Sequence, residues 1–429
     1  MGGIGTAGPT GKDSLKRGMI VKMVYFDNSA TTRTDREVLD AMVPFTIEHY
    51  GNPSSLHSFG REAKAGMDGA RSQVAKLLNA DPNEIVFTSG GTESDNLAIK
   101  GFAWANRSKG RHIITSSIEH HAVQTTCEYL QKNGFEVTYL PVDRDGLVDI
   151  DSFEKSIRPD TILASIMYAN NEIGTIQPIK AFAEIAARKG IAFHTDAVQA
   201  AGHLPMDVRA EGIGMLSLSA HKFYGPKGVG ALYIRKGIRV EPLLHGGGHE
   251  RGLRSSTENV CGIVGLGKAA EIARKDIPEE SARLTKLRDT IIDGVLKDIP
   301  RSHLNGHRTK RLPNNANFRF DFIEGESLIL QLDMYGFEAS TGSACSTKSL
   351  QPSHVLLAIG LRPEDAHGSL RISMGKDNTA EDVSSFLETL PKVVESLRAM
   401  SPYNENNPMR SDEPWCSTEE DHGHEHGGE

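Results

Sequence analysis

From about Asn83 to Ile234 the chain alternates short β-rich apolar runs with helical patterns. The runs 84–88, 113–115, 135–140, 162–168, 191–195, 215–219 and 229–233 read as strands. Helices such as 179–188 fill most of the gaps. This alternation predicts an α/β domain with a mainly parallel seven-stranded sheet, covered on both faces. In such sheets ligands bind outside the carboxyl ends of the strands. Beyond about Glu280 the pattern changes. A helix at 280–296 precedes an extended stretch at 317–320, a helix from Ser327, another near 355–359, a strand at 370–373 and a last helix at 380–397. That order predicts a smaller α+β C-terminal domain. The expected organisation is a flexible leader (1–22), a large domain (23–280) with its first residues free to pack on the small one, the small domain (281–401), and a polar tail (402–429) too rich in charge to fold.

Composition narrows the function classes. The chain has 429 residues, of which 38% are hydrophobic and 24% charged, as in ordinary globular proteins. A formal charge of −8 argues against a nucleic-acid or anionic-membrane partner. No apolar run reaches the roughly 18 residues of a membrane span. The first residues form neither a signal peptide nor an amphipathic presequence, so the expected location is cytoplasmic. Cys127, Cys261, Cys345 and Cys416 are widely spaced and form no CxxC pair, which points away from disulfides and zinc.

Two strand ends carry the most pointed chemistry. Asp196 closes 191–196 and Lys222 follows 214–219. A lysine amine can join a pyridoxal phosphate aldehyde as a Schiff base. An acid paired with the pyridine nitrogen keeps the ring electron-poor. Thr88-Ser89-Gly90-Gly91-Thr92-Glu93-Ser94 follows a strand and opens a helix, which suits an anion. Such turns are common, and Ser219 and His221 are the added donors that make a phosphate cup plausible. His120 and His121 follow another strand, where one could stack on a ring and shuttle a proton. Asn170 and Asn171 read either as a turn or as an amide donor, and Gln199 is expected on a first helical turn after Asp196. The segment 254–259 could cap the next helix or reach a neighbouring subunit. Cys345 lies in a small, polar, glycine-containing stretch, so its thiol should be reactive, whereas Cys127 and Cys261 sit on apolar helical faces. Arg371, inside a short strand, suits capture of a carboxylate or a buried ion pair.

Taken together, these stretches resemble cysteine desulfurases of the NifS/IscS type. The likeness rests on Tyr25-Phe26-Asp27-Asn28-Ser29-Ala30-Thr31-Thr32, Ser89-Gly90-Gly91-Thr92-Glu93-Ser94, Glu119-His120-His121-Ala122-Val123, Asn170-Asn171-Glu172-Ile173-Gly174, Asp196-Ala197-Val198-Gln199, His221-Lys222-Phe223-Tyr224-Gly225, residues 245–251 and Gly342-Ser343-Ala344-Cys345. It covers residues 24–397. Ser256 stands where a glycine is common, and Asp95 where an asparagine is frequent. The resemblance implies the aspartate-aminotransferase-like fold (pyridoxal phosphate fold type I) and a homodimer. It implies that Lys222 holds the cofactor, Asp196 binds the pyridinium nitrogen and His120 stacks on the ring. Gly91, Thr92, Ser219 and His221 would hold the phosphate, with Thr257 from the other subunit. Gln199 would contact the ring hydroxyl, Asn171 the cofactor ring and the substrate carboxylate, and Arg371 that carboxylate too. Cys345 would accept sulfur from L-cysteine, leaving L-alanine, and pass it to iron–sulfur scaffolds, tRNA thiolation or both. No firm metal site is expected, beyond Cys345 as a transient ligand of a cluster held with a scaffold partner. Competing readings are a selenocysteine lyase or an aminotransferase, a non-catalytic scaffold, and metal storage by His422, His424 and His426.

Overall fold

The computed structural model describes residues 14–16, 19–342 and 352–404. A seven-stranded sheet forms its centre. The strands are β1 (Ile85–Thr88), β2 (His112–Ser116), β3 (Glu136–Leu140), β4 (Thr161–Ser165), β5 (Ala192–Asp196), β6 (Met215–Ser219) and β7 (Gly230–Ile234). Their order across the sheet is β1-β7-β6-β5-β4-β2-β3. β2 pairs in parallel with β3 and β4, β4 with β5, and β5 with β6. β7 alone runs the other way, antiparallel to both β1 and β6. Every residue of β1, β2, β4, β6 and β7 is buried, as expected for a sheet covered on both faces.

All seven strands predicted from the pattern are present, with shifted ends. The strand expected through 168 stops at Ser165, although Ile166 and Tyr168 still donate to the carbonyls of His194 and Asp196. Helix α1 (Ser58–Leu78) precedes the sheet. Helix α2 (Gly91–Asn96) follows β1 and continues through one π turn and a further helical segment to Asn106. Helix α3 (His121–Lys132) follows β2.

The largest departure from the pattern is helix α4 (Val260–Asp298), which was expected to start at Glu280. It runs for 39 residues straight through Pro278. Proline inside a helix costs about 3 kcal/mol, because it lacks an N–H and crowds the preceding turn. Burial on both sides offsets that cost. Ile263, Leu266, Ala270 and Ile277 pack into the core around the sheet. Leu284, Ile291, Ile292 and Val295 pack into a second core with Phe318, Phe320, Leu370 and Phe386. The helix therefore joins the two cores, and the change of core falls between Ile277 and Leu284. Gly267 lets α1 approach: a Cβ there would lie 2.4 Å from the Cα of Ala70.

The second core is framed by an antiparallel sheet of β8 (Ser302–Asn305), β9 (Asn315–Phe320) and β10 (Ser369–Ser373), with helix α5 (Ala380–Met400) against it. Val24–Tyr25 pairs in parallel with Phe337–Glu338, and Phe26 is fully buried in this core. The N-terminal stretch is thus built into the C-terminal part of the chain. Cys345, Cys416, most of the leader and nearly all of the tail lie outside the described residues.

Candidate active site

Asp196 ends β5 and Lys222 follows β6, so the sheet topology places them on adjacent strands at the same edge. Asp196 is in register with Ser217, two residues before Ser219. Its Oδ1 accepts from the N–H of Val198 at 2.9 Å. Burial pushes its carboxyl up, and the neighbouring His120, the Val198 N–H and Lys222 act in the opposite direction. Gln199 lies in a series of turns rather than a helix: Ala200 and Ala201 bond back to the Ala197 carbonyl and His203 and Leu204 to that of Ala200, with no continuous ladder between. Its side chain donates to the Ser29 carbonyl at 3.0 Å.

Lys222 closes a single 3-10 turn, Ala220–Lys222. Its Nζ donates to the carbonyls of Ser29 at 2.6 Å and Ala30 at 2.8 Å. His203 Nε2 contacts the Lys222 carbonyl at 3.0 Å. His221 Nδ1 meets Thr31 Oγ1 at 3.1 Å, and its imidazole is pushed down to about 4 by burial and by Lys222 and Lys227. The N-terminal stretch from Asp27 to Thr32 therefore closes over the lysine. The sequence pattern alone assigns this stretch no chemistry of its own. The signal available was its run of small polar residues, whose partners lie about two hundred positions away.

The glycine turn has the shape the sequence suggested. Gly90 caps α2 with φ of 155°, and a Cβ on Gly91 would press 2.6 Å from Val198 Cγ2. The Ser219 side chain lies beside both glycines. Thr92 is exposed at the start of the helix. Thr88 Oγ1 and Ser94 Oγ bond each other at 2.8 Å and both meet the Gly90 carbonyl, which fixes the turn. Glu93 accepts from the Ser89 N–H and from Arg254. Burial opposes its ionisation, but these bonds hold its carboxyl below the usual range.

His120 is the N-cap of α3, its Nδ1 accepting from the Ala122 N–H at 3.1 Å. Burial lowers its imidazole, against the pull of Asp196. His121 is exposed and packs on His354 with ring centres 4.8 Å apart. Asn170 makes a turn: its Oδ1 accepts from the N–H groups of Glu172 and Ile173. Asn171 is half-buried, and its carbonyl accepts from Arg371.

Arg371 makes a buried ion pair, and its Nε has no partner among the described residues. Its Nη2 meets Asp27 Oδ1 at 2.7 Å, with side-chain exposures of 3% and 20%. Its Nη1 donates to the carbonyls of Asn171 and Gly342. The described flanks of the segment carrying Cys345 meet at Glu172: Gly342 packs against its carboxylate, and Ser353 Oγ donates to Oε2 at 2.5 Å. Thr257 is exposed on a separate loop, next to Ser256, which holds φ of 148° where the resemblance expects glycine. Asn259 is the residue that caps α4. Cys127 is buried and its thiol is pushed up to about 12 by burial, whereas Cys261 is only half-buried. Among the described residues no cluster of three or more His, Cys, Asp or Glu could hold a metal, and no helix is long and apolar enough to cross a membrane.

Comparison with known proteins identifies the family and the fold. Residues 24–386 match the family model for aminotransferase class-V. A curated relative named cysteine desulfurase IscS, from Methanosarcina thermophila, is 60% identical over 381 residues, covering 89% of this chain and 94% of its own. A solved NifS-like protein superposes with a TM-score of 0.82 at 44% identity, covering 87% of this chain and 100% of that one. A structure titled SspA in complex with cysteine gives 0.73 at 40% identity, covering 82% and 98%.

Proposed function

The chain belongs to the aminotransferase class-V family, and from that premise we infer that it is a cysteine desulfurase that takes sulfur from L-cysteine and releases L-alanine. The carrying observation is the convergence of Asp196, His120 and Lys222, each at the end of a strand or in the turn after it, on the edge that also holds Arg371 and both flanks of the Cys345 segment. Pyridoxal phosphate is the cofactor of this family. The residues present fit it: the glycine cradle beside Ser219 has no room for a Cβ at Gly91, and the buried Ser29 hydroxyl has no partner. When bound, the cofactor supplies an electron-poor ring that takes up the charge left on the substrate Cα.

Each side chain then has a task. Lys222 would hold the cofactor and carry the proton taken from the substrate Cα. Asp196 would keep a proton on the ring nitrogen, and His120 would stack on the ring. Gly91, Thr92, Ser219 and His221 would hold the phosphate, and Gln199 would contact the ring hydroxyl. Asn171 and Arg371 receive the substrate carboxylate. Cys345 attacks the substrate sulfur. An S–S bond forms as the C–S bond breaks with its electron pair on the substrate carbon, leaving a persulfide on Cys345. Iron–sulfur scaffold proteins and tRNA-thiolating proteins are the acceptors we propose, in a reducing cytoplasm where thiols persist.

We also place two copies together. Leu39, Val43, Ile47, Tyr50, Leu56 and Phe59 are all exposed along one short stretch, more apolar surface than a lone subunit usually shows. Two-fold dimers are the commonest assembly. In that dimer Thr257 of one copy would reach the phosphate of the other. An active monomer in light scattering contradicts this. The test of the activity itself is production of alanine and sulfide from L-cysteine. Lys222→Ala should lose both, together with the native cofactor absorbance, and full turnover by that variant sinks the assignment.

A further inference from the structure

Three carboxylic acids gather under helix α2. Asp95 comes from α2, Glu119 from the turn between β2 and α3, and Asp196 from the end of β5. All are buried: 1%, 0% and 6% exposed. Their surroundings differ. Asp196 faces the Lys222 ammonium and His120. Asp95 faces Ser217 of β6, His194 and Asp196 of β5, and Glu119. His194 offers no counter-charge. Its Nδ1 meets Ser165 Oγ at 2.8 Å, its Nε2 meets Ser217 Oγ at 3.0 Å, and burial pushes its imidazole down to about 3. The Asp95 Oδ1 lies 3.7 Å from that Nε2, too far for a hydrogen bond, and has no partner. Glu119 Oε1 accepts from Ser116 Oγ at 2.6 Å and the Met167 N–H at 2.9 Å, while Oε2 has no partner. The Cys127 thiol also faces Glu119. Both acids feel repulsion from Asp196.

We propose that Asp95 and Glu119 are positioning residues kept uncharged in the folded protein, so that Asp196 carries the single negative charge of the group. An ionised carboxylate with an orphaned oxygen is expensive in a dry interior, and repulsion from Asp196 makes it more so. Burial pushes Asp95 well above the usual carboxylate range and Glu119 up to about 8. The consequence for chemistry rests on the proposed role of Asp196. A ring nitrogen meeting one anion, flanked by two neutral acids, is held by a charge of fixed place and size.

The test uses the full-length holoenzyme with Asp95→Asn and Glu119→Gln, which supply an uncharged group of the same shape. An acid protonated in the fold but ionised in the unfolded chain drains stability as pH rises above its unfolded value, up to its folded one. Each amide removes one such proton. From about pH 5 to about pH 7, the folding equilibrium of each variant should gain on the wild type by about tenfold per pH unit, read from urea denaturation. A difference that stays flat with pH means the acid is ionised in the fold and overturns the proposal. Difference infrared spectra, wild type minus variant, should show the carbonyl stretch of a protonated acid, and carboxylate bands there overturn it as well. The pH dependence of the cofactor absorbance should be unchanged in Asp95→Asn. Asp196→Asn separates the two ideas: if it leaves cofactor absorbance and turnover intact, the role of Asp196 fails, whatever the linkage slopes show.

Discussion

Replacing Arg371 with methionine should damage the fold and substrate binding by separable amounts. The guanidinium is paired with Asp27 at 2.7 Å, with exposures of 3% and 20%. It also donates to the Asn171 and Gly342 carbonyls at 3.1 and 3.3 Å. Breaking a buried ion pair costs about 3–5 kcal/mol, because the remaining charge is left uncompensated. The partial exposure of Asp27 puts the expected loss near the lower end, about 3 kcal/mol. Asp27→Asn combined with Arg371→Met should recover much of it, since neither charge is then stranded. If Arg371 also receives the substrate carboxylate, loss of a charge-assisted hydrogen bond worth about 2–3 kcal/mol raises KM for cysteine roughly 30- to 150-fold. Urea denaturation without cysteine reads the first effect, and alanine formation against cysteine concentration reads the second. A variant as stable as the wild type refutes the structural half. A destabilised variant with unchanged KM refutes the binding half and sends the carboxylate elsewhere.

Cys345→Ser should keep the cofactor absorbance and still bind cysteine, yet release little sulfide and carry no persulfide by mass spectrometry; wild-type sulfide release would favour a lyase without a protein persulfide. His194, neutral in the fold, takes a proton once unfolded, so stability present above about pH 6.5 should drain as pH falls, by about 1.4 kcal/mol per unit. His194→Asn should flatten that acid limb in urea titrations, and an identical limb in the variant contradicts the assignment. Truncation after Pro402 should leave alanine formation intact, and its loss would give the tail a folding or catalytic part.

The seven strands were legible because each is a short apolar run between polar turns, and burial on both faces makes that pattern strong. The glycine turn and the Asp196 and Lys222 ends were legible for the same reason: they sit where a buried strand stops. Three things were not. Helix α4 crosses Pro278, which the local pattern reads as a boundary, because two separate cores bury its two halves. The helical turn expected at Gln199 is a run of turns, because the N–H groups of Ala200, Ala201, His203 and Leu204 bond to the Ala197 and Ala200 carbonyls and no helical ladder forms. The partners of Arg371 and Lys222 lie about 340 and 190 positions away, and no periodicity reports such pairings.

Those distant pairings share one segment, and its position has a consequence. Phe26 is anchored in the second core, and its carbonyl accepts from the Ser373 N–H at 2.6 Å. Asn28 N–H donates to the Ser373 carbonyl, and Ser29 N–H to its hydroxyl. The same few residues then turn to the first core. The Ser29 and Ala30 carbonyls hold Lys222, Ser29 also takes Gln199, and Thr32 bonds the His221 carbonyl. β10 thus touches the lysine through only one intervening stretch, and Arg371 of β10 binds Asp27 at the head of it. The C-terminal sheet is tied to the amine mainly through backbone groups of residues 26–32, with the Ser373 hydroxyl and the Arg371–Asp27 pair added. Backbone carbonyls cannot rotate away singly as side chains do, so this link is stiff. The two ends of the proposed substrate-binding edge are therefore kept in register by residues 26–32, far from either in sequence.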